Sequence, residues 1–446
     1  MNSMASDKEW KPSFFNIGLD GAATRLFFNS RSAQMLELSG EQIQIFEDWL
    51  REIKQSGSCS NHRMLRCLAA LGFIVQDDED EYESEHARFL ATQISKDTLR
   101  VTIAPTMACN LRCSYCFQQN MRRCKTMRPD IQRGVVEFIR RTLEGSRLLV
   151  VQWFGGEPLL AYKQIQAMSA EFQEICQMRN IAYYSEMLTN GTLLTPKLID
   201  SFPQIALKAI QIPLDGDVPT YAARKKVPLE WASAYHRFLV RHMQSLVDAT
   251  GSVTIRINVD RENEDAGRSV VRMFKENGVT DRRIDFRLGF LNTSRGVIEC
   301  IPHDCFSSCE FSQTEVEFMH FLAREGYRVY GRPNRRNFPC SAAIGNSYTI
   351  DSEGGIGKCV PATGMTQSVF ARIYPDDINR TLREINSREM PYARFDPFTS
   401  SGCRSCKLLP VCLGSCPKMH EPGATLNCVL KEGLASRLRF YLNYPA

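Results

Sequence analysis

The sequence has little net charge and no long apolar run. Its 446 residues contain 55 Lys and Arg against 50 Asp and Glu, which leaves a net charge of +5. So small an excess on so long a chain gives no reason to expect nucleic acid as a partner, and the basic clusters at 121–125 and 224–226 are predicted to be solvated faces. No stretch approaches the roughly 18 apolar residues of a membrane span, so no membrane partner is expected.

The polar N-terminal stretch MNSMASDKEWKPS also lacks the apolar segment of a signal peptide. We therefore expect a cytoplasmic protein, in which thiols stay reduced. A disulfide framework is then an unsuitable explanation for the 17 cysteines, which leaves metal binding or isolated burial. Four cysteines stand alone in the sequence and are predicted to be small buried hydrophobic residues: Cys59, Cys67, Cys124 and Cys176.

The first part of the chain, residues 1–97, has the pattern of a small separate unit. Apolar and polar residues alternate over 13–38 between turns that contain glycine, which predicts short antiparallel strands. Helical spacing follows, first between Ser39 and Gly57 and then from about Asn61 to Leu71. We interpret this part as a compact winged-helix-like unit whose acidic tail is a solvated helix start and linker.

From residue 98 onward the pattern changes to an apolar strand followed by a helix, repeated. Such alternation predicts an α/β fold with a parallel sheet, and six units with short loops indicate a partial (β/α)6 TIM-like barrel over 98–299. In this architecture the chemistry gathers at the C-terminal ends of the strands. The six predicted strands are LRVTIAP, LLVVQWF, AYYSEMLT, LKAIQIPLD, SVTIRINVD and IDFRLGF.

Polar residues and glycines follow several of these strands. Each group alone is best interpreted as a turn. Together, on successive strand ends, they predict a ring of polar groups around the mouth of a barrel. The residues are Gly155, Gly156, Glu157 and Pro158 after the second strand, Thr189 and Asn190 after the third, Asp215 after the fourth, and Asn258 near the end of the fifth.

The loop after the first predicted strand contains three cysteines, Cys109, Cys113 and Cys116. Three thiolates can bind three irons of a [4Fe-4S] cubane and leave the fourth iron free to chelate a small molecule. A structural zinc site would require a fourth protein ligand, and Cys124 is the nearest residue that could supply one.

The segment CNLRCSYC resembles the radical S-adenosylmethionine (SAM) superfamily in its C-x3-C-x2-C spacing, and the GGEP, TNG and LDG elements follow in the order of that family. The resemblance implies that the open iron chelates SAM, whose reductive cleavage yields a 5′-deoxyadenosyl radical. It further implies that Tyr115 packs near the adenine. The other residues that it places around SAM are Gly155, Gly156, Glu157, Pro158, Thr189, Asn190, Asp215 and Asn258.

One position departs from the family pattern. Pro213 stands where a Ser or Thr commonly precedes LDG, so a hydroxyl that could hold the SAM carboxylate is absent. Arg224 and Arg256 are the candidates to replace it.

The C-terminal cysteines resemble the SPASM extension, which holds auxiliary [4Fe-4S] clusters; we place it at 339–446, after a bridging region at 300–338. The resemblance implies two ligand sets. These are Cys403, Cys406, Cys412 and Cys428 in one set, and Cys340, Cys359 and Cys416 in the other.

The second of these sets is one ligand short. Either one of Cys300, Cys305 and Cys309 completes it or one iron stays open, and we favour the open iron, which could bind a substrate thiol. A zinc ribbon is the alternative interpretation of the C-x2-C spacing.

The whole chain is similar to peptide maturases that build thioether crosslinks in sactipeptides and ranthipeptides. The resemblance implies a ribosomally made precursor peptide as substrate, with its leader added as a strand to the N-terminal unit, and an external electron donor such as flavodoxin or ferredoxin.

Three alternatives stay open. A sulfatase-type maturase would carry an Asp after the Cys359 position, where this chain has Val360. A maturase that forms carbon–carbon crosslinks or epimerises a peptide would use the same scaffold. A non-catalytic iron–sulfur electron carrier would not need the ring of SAM-binding elements.

Overall fold

The structure is a computed structural model, and it describes residues 9–118, 126–291, 305–422, 424, 426 and 428–444. The strands are β1 Trp10–Pro12, β2 Asn16–Asp20, β3 Thr24–Asn29, β4 Gln34–Ser39, β5 Ile74–Gln76, β6 Thr98–Ile103, β7 Leu148–Trp153, β8 Ala182–Leu188, β9 Leu207–Pro213, β10 Val253–Val259, β11 Ile284–Phe290, β12 Ser347–Ile350, β13 Gly355–Gly357 and β14 Ala371–Arg372. The helices are α1 Glu41–Ser56, α2 His62–Ala70, α3 Glu81–Ile94, α4 Pro129–Thr142, α5 Tyr162–Met178, α6 Pro196–Asp200, α7 Val218–Lys225, α8 Leu229–Thr250, α9 Ala266–Glu276, α10 Ser308–Glu325, α11 Ile378–Ser387, α12 Leu409–Cys412, α13 Val429–Glu432 and α14 Leu434–Asn443. No helix in the described part of the chain combines the length and apolar character that crossing a membrane requires.

Six parallel strands, β6 to β11, form the centre of the molecule in the order of the chain. Helices α4, α5, α8 and α9 cover their outer face, where Phe138, Phe172, Leu239 and Phe274 are buried against the strands. Trp153 at the end of β7 stacks on Phe172 with ring centroids 6.3 Å apart. The predicted α/β fold with six strand and helix units is therefore confirmed, and the ends of all six strands lie at one edge of the sheet.

The same sheet continues beyond the six predicted strands. Strand β12 pairs in parallel with β6, from Ser347 opposite Arg100 to Ile350 opposite Ile103. Strands β13 and β14 then extend the sheet in antiparallel fashion, giving nine strands in the order β11-β10-β9-β8-β7-β6-β12-β13-β14. The cysteine-rich region is thus hydrogen-bonded directly to the first barrel strand, which the sequence pattern did not indicate.

The N-terminal unit contains the antiparallel sheet β2-β3-β4, helices α1 and α2, and a pairing of β1 with β5. Its core holds Phe27, Phe46 and Phe73. The other face of its sheet packs against α14, where Leu26 meets Leu438. The predicted strands and helices are present, except that Gly40 rather than Ser39 precedes the first turn of α1, without a side-chain cap.

The acidic tail of this unit begins helix α3, as predicted, and Asp77, Asp78, Asp80 and Glu83 are exposed, but two of its carboxylates are not solvated. Glu81 and Glu85 on α3 are buried, with 4% and 0% of their surface exposed. Glu85 accepts hydrogen bonds from Arg31, Arg88 and Arg335, which belong to the N-terminal unit, α3 and the segment after α10. These three arginines compensate the buried charge of Glu85. Glu85 therefore links three parts of the chain that are distant in sequence.

The isolated cysteines are predicted correctly at two of the three described positions. Cys59 and Cys176 are buried, at 2% and 1% exposure. Cys67 is exposed, so the prediction is wrong there. It lies on α2, whose buried residue is its neighbour Leu68. Cys124 and the rest of the basic cluster 121–125 lie outside the described residues.

Candidate functional site

The loop after β6 gathers its three cysteines. Leu111 donates its backbone N–H to the Cys109 sulfur at 3.5 Å, and the backbone N–H of Cys116 donates to the Cys113 carbonyl at 3.3 Å. Burial raises the pKa of Cys113, and the nearby thiols of Cys116 and Cys109 raise it further while Lys225 lowers it. The loop thus presents three neighbouring thiols, the donor set that three irons of a cubane require.

The GGEP segment after β7 supports this loop through its backbone. The N–H of Gly156 donates to the Thr106 carbonyl at 3.1 Å. A Cβ on Gly156 would lie within 3.0 Å of the Ala108 carbonyl oxygen, and one on Gly155 would lie as close to the carbonyl oxygen of Thr106. Gly155 also has a φ of 125°, which only glycine adopts readily. The two glycines therefore allow the backbone to approach the chain directly before Cys109.

The Glu157 carboxylate connects the loops after β7 and β8. It is fully buried and accepts hydrogen bonds from the Thr189 hydroxyl at 2.6 Å, the Asn190 N–H at 2.7 Å and the Leu159 N–H at 2.9 Å. Burial raises the pKa of Glu157 to about 7, against the effect of these three donors. Pro158 starts a short 3-10 turn beside it. Glu157 thus positions the TNG segment.

Asn190 reaches the first cysteine of the loop. Its Nδ2 lies 3.8 Å from the Cys109 sulfur and donates to Asn110 Oδ1 at 2.9 Å. Its carbonyl accepts a hydrogen bond from the Tyr235 hydroxyl at 2.9 Å. Neither Asn110 nor Tyr235 belongs to the set that the sequence singled out, although Asn110 directly follows Cys109 and could have been included for that reason.

Tyr115 belongs to a buried cluster of polar groups at the ends of β9 and β10. Its hydroxyl hydrogen-bonds to the Asp215 carboxylate and to the Lys225 ammonium group. Lys225 Nζ also pairs with Asp215 Oδ2 at 2.6 Å, and both side chains are essentially unexposed. Burial acts against both charges, but their mutual attraction lowers the pKa of Asp215 and raises the pKa of Lys225. This cluster fixes the position of the Tyr115 ring, which lies in the cysteine loop between Cys113 and Cys116.

Asn258 completes this cluster from β10. Its backbone N–H donates to Asp215 Oδ1 at 3.0 Å, and its Nδ2 donates to the Tyr115 hydroxyl at 3.3 Å. Arg256 Nε donates to Asn258 Oδ1 at 2.9 Å. The structure therefore brings Tyr115, Asp215 and Asn258 together, with their side chains already hydrogen-bonded to one another.

The cluster 224–226 is not the solvated face that we predicted. Arg224 and Lys225 are buried, at 7% and 1% exposure, and Lys226 alone is exposed. Helix α7, which Asp217 caps through the Thr220 N–H at 3.0 Å, carries both buried side chains back toward the strand ends. The reason is that each charge has a partner, Asp215 for Lys225 and Asp260 for Arg224.

Arg224 has an unused donor beside Tyr115. Its Nη1 binds the Asp260 carboxylate at 2.8 Å, and its guanidinium carbon lies 5.1 Å from the centroid of the Tyr115 ring. Its Nε is buried and has no hydrogen-bond acceptor among the described residues. A buried donor without an acceptor is costly, so this atom fits a site for an anionic ligand group.

The C-terminal cysteines separate into two groups in space. The thiol of Cys403 interacts with those of Cys412, Cys406 and Cys428, and the backbone N–H of Gly414 hydrogen-bonds to the Cys412 sulfur. The other group is Cys340, Cys359 and Cys416. Burial raises the pKa of Cys359 to about 11, and its two partners add to that shift.

The hairpin of β12 and β13 explains how Cys340 and Cys359 meet, because they flank its two ends. Of the cysteines considered as a fourth ligand, Cys309 is exposed at the start of α10, and Gln313 Nε2 lies 3.8 Å from its sulfur. Cys305 is half-buried. Cys300 lies outside the described residues. The prediction that one iron stays open remains a prediction.

The spacing of these thiols bears on the zinc alternatives. Within 9–118, 126–291, 305–422 and 428–444, no three side chains of His, Cys, Asp or Glu converge on the position of a single metal ion. A tetrahedral zinc site requires that convergence, whereas the cysteines of a cubane bind different irons. Among the described residues, the thiols are therefore not arranged around the position of a single ion.

The sequence profile of the Radical SAM superfamily matches residues 103–266. A stretch of 103 residues is 30% identical to the cysteine-type anaerobic sulfatase-maturating enzyme of Clostridium perfringens. The match covers 22% of this chain and 27% of the length of that relative, so the similarity concerns only a part of each protein.

Two solved structures share the fold. The protein anSMEcpe, solved with AdoMet and the Cp18Cys peptide, has a TM-score of 0.56 at 16% identity, and the alignment covers 78% of this chain and 97% of that one. SuiB of Streptococcus suis, solved with the precursor peptide SuiA, has a TM-score of 0.52 at 15% identity, with 94% and 98% covered. At these identities the similarity establishes the fold alone.

A radical SAM domain implies a [4Fe-4S] cluster and SAM. The residues present fit both groups: the loop after β6 brings the thiols of Cys109, Cys113 and Cys116 close to one another, and Arg224 Nε is a buried donor without an acceptor among the described residues. The seven C-terminal cysteines likewise fit auxiliary clusters.

Proposed function

Because residues 103–266 are a radical SAM domain, we propose that this protein is an enzyme that modifies a ribosomally made precursor peptide, and that it joins a peptide cysteine to another residue through a thioether bond. The observation that carries this proposal is the grouping of Cys340, Cys359 and Cys416 beside the barrel as a second set of three thiols. An iron without a protein ligand in that set would bind a substrate cysteine.

The residues of the chain have separate tasks in this proposal. Cys109, Cys113 and Cys116 hold the first cluster. When bound, the cluster and SAM supply the radical that removes a hydrogen atom from the peptide. Gly155 and Gly156 let the segment after β7 lie directly against the backbone of the cysteine loop, and Arg224 offers the SAM carboxylate its buried Nε, which has no acceptor among the described residues.

The polar residues at the strand ends orient these ligand-binding loops. Glu157 holds Thr189 and Asn190, while Asp215, Lys225 and Asn258 hold Tyr115 near the adenine. Most of the polar groups of these side chains already have hydrogen-bond or ion-pair partners inside the protein, so we assign these residues a positioning role. An external donor such as flavodoxin or ferredoxin supplies the first electron, and the auxiliary clusters accept the second.

The peptide leader adds as a strand to the outer edge of β4. Among the described residues β4 pairs with β3 alone, so one edge has no partner strand. The opposite edge of this sheet is occupied, since Lys407 Nζ donates to the Asn16 carbonyl at 2.8 Å and Arg439 donates to the Asp20 carbonyl at 3.2 Å. An extended peptide therefore finds main-chain partners at β4.

A sulfatase-type maturase is the second candidate, because the sequence match includes an enzyme of that name. Against it stands the residue after Cys359. That position is Val360, at the start of a 3-10 turn, and it offers no carboxylate as a base.

A product analysis separates the candidates. Purified enzyme, reconstituted without oxygen, is supplied with SAM, a reductant and a library of cysteine-containing peptides, each with and without an N-terminal leader. Loss of a pair of hydrogen atoms together with the alkylatable thiol supports a thioether. An aldehyde that reacts with hydrazide supports the sulfatase-type reaction, and loss of hydrogen with the thiol retained supports a carbon–carbon crosslink. Both of these results would contradict the thioether proposal.

A further inference from the structure

Helix α8 begins with two exposed apolar side chains, Leu229 and Trp231. Trp231 is 37% exposed, and its ring stacks on Tyr235 one turn further along the helix, with centroids 5.8 Å apart and an angle of 17° between the rings. The stacking fixes the orientation of the indole at the surface. Exposed tryptophans held in this way are typical of the side chains that dominate the binding energy of protein interfaces.

Tyr235 connects this surface to the first group of cysteines. It is buried, and its hydroxyl donates to the Asn190 carbonyl at 2.9 Å. The Nδ2 atom of the same asparagine lies 3.8 Å from the Cys109 sulfur. One ring contact, one hydrogen bond and the covalent bonds of Asn190 therefore lead from Trp231 to a cysteine of the first cluster site.

A second line of contacts starts at the same tyrosine. The Tyr221 ring, which is buried, stacks on Tyr235 with centroids 5.5 Å apart. Lys225 Nζ lies 5.5 Å from the centroid of Tyr221 and 4.9 Å from the centroid of Tyr115, which belongs to the cysteine loop. Because electron tunnelling through a protein slows steeply with distance and with gaps in packing, these two lines make the surface at α8 a favourable place for an electron to enter.

The surface around Trp231 carries more positive than negative charge. Its exposed cations are Arg112 in the cysteine loop, Lys226 at the end of α7 and Arg237 on α8. The loop is held at the end of α7 by the Ser114 N–H, which donates to the Arg224 carbonyl at 2.9 Å. None of the three exposed cations forms an ion pair with another described residue, and Glu230 is the acidic residue in the first turn of α8. A partner with an acidic surface is therefore complementary to this one.

We propose that an acidic flavodoxin docks on this surface with Trp231 at the centre of the contact, and that its electron reaches the cluster site at Cys109 through Tyr235 and Asn190. The reduced flavin loses one electron and the cluster gains it. No covalent bond forms or breaks, and neither ring changes its oxidation state, because the electron tunnels past them. This inference rests on the first cluster of the proposed function and is independent of the thioether step.

The test uses the reconstituted full chain without a peptide, so that crosslinking does not enter the result. Isothermal titration calorimetry measures the Kd for flavodoxin. The rate of 5′-deoxyadenosine formation from SAM is then measured with reduced flavodoxin below saturation and, separately, with dithionite. Trp231→Ala should raise the Kd by about tenfold and lower the flavodoxin-driven rate by about as much, as expected for the central residue of an interface. The dithionite-driven rate should stay unchanged, because so small a reductant needs no docking surface.

Met178→Ala is the matched control. Met178 is also an exposed apolar residue on a helix, but it lies at the end of α5, where the chain returns to the start of the next strand. It should leave the Kd and both rates unchanged. Lys226→Met tests the charge and should weaken flavodoxin binding at low salt more than at high salt, since salt screens exposed charges. An effect of equal size at both salt concentrations would contradict the electrostatic part.

Several results would overturn the inference. An unchanged Kd for Trp231→Ala would remove the docking surface, and a weaker Kd with an unchanged flavodoxin-driven rate would mean that the electron enters elsewhere. Loss of the dithionite-driven rate would mean that Trp231 acts on the SAM site. A dimer that Trp231→Ala converts to monomers in sedimentation velocity would assign the surface to a second copy of the chain.

The proposed function fails in a different experiment. A protein that binds and uses flavodoxin through Trp231 but forms no thioether in the peptide library would support this inference and contradict the proposed function. The reverse result, thioether formation with dithionite and no effect of Trp231→Ala on flavodoxin binding, would overturn this inference alone.

Discussion

Replacing Lys225 with methionine removes one partner of the buried ion pair next to Tyr115. Methionine keeps most of the side-chain length, but the Asp215 carboxylate then loses the ammonium group 2.6 Å away. It retains only the Tyr115 hydroxyl and the Asn258 donors. Since Asp215 is 0% exposed, water cannot replace the lost partner.

The expected cost of Lys225→Met is large for a single substitution. Removing one member of a buried ion pair costs about 3–5 kcal/mol of the free energy of unfolding. For a barrel of about 200 residues that unfolds as one unit, this corresponds to a fall in Tm of roughly 6–20 °C. Lys226→Met is the control, because Lys226 is the exposed neighbour on the same helix end and should change Tm little.

A double-mutant cycle with Asp215→Asn isolates the pair. Each single variant leaves one buried charge unpaired, while the double variant leaves none, so the double variant should be more stable than the sum of the two losses predicts. Thermal unfolding followed by circular dichroism measures all four proteins. Additive losses, or a Tm for Lys225→Met equal to that of Lys226→Met, would refute our account of this cluster.

Three other substitutions test the remaining contacts. Glu85→Gln should lower the free energy of unfolding by about 3–5 kcal/mol, measured by chemical unfolding. Burial acts to raise the pKa of Glu85, but hydrogen bonds from Arg335 and Arg88 lower it below its usual value of 4.5. The stability that the Glu85 carboxylate contributes should therefore be present above pH 4.5 and should be lost as the pH falls through the lower pKa of the folded protein. Gly156→Ala should reduce bound iron by about four atoms per chain in a metal assay, because the added Cβ displaces the cysteine loop; unchanged iron would contradict this. The pKa of Glu157 is raised to about 7, so the stability of wild type relative to Glu157→Gln should be greatest below pH 4.5 and should fall as the pH rises through 7; a difference in Tm that does not vary with pH would contradict it.

The barrel strands could be predicted closely from the sequence. The run LLVVQWF, for example, became β7 at Leu148–Trp153, and SVTIRINVD became β10 at Val253–Val259. Such runs are apolar because strands of a parallel sheet are largely covered by helices, so burial is visible in the local sequence. Strand β12 has only four residues, and its pairing with β6 joins positions about 250 residues apart, which no local pattern encodes.

The polar segments that lie together at the ends of the strands could be predicted, but the contacts between them could not. Lys225 lies in a basic run on a short helix, a pattern that is usually solvated, and only the fold brings it to Asp215. Glu85 was missed for the same reason, because Arg31 and Arg335 are remote in sequence.

The central claim is that one SAM-binding cluster and two auxiliary clusters occupy the three groups of cysteines. The most direct measurement counts iron and acid-labile sulfide after anaerobic reconstitution of wild type and of the variant with Cys109, Cys113 and Cys116 replaced by alanine. We expect about twelve irons in wild type and about eight in the variant, at four per cubane, with SAM cleavage to 5′-deoxyadenosine in wild type alone. About four irons in wild type, or zinc in the C-terminal region, would contradict the auxiliary clusters and the thioether chemistry that depends on them.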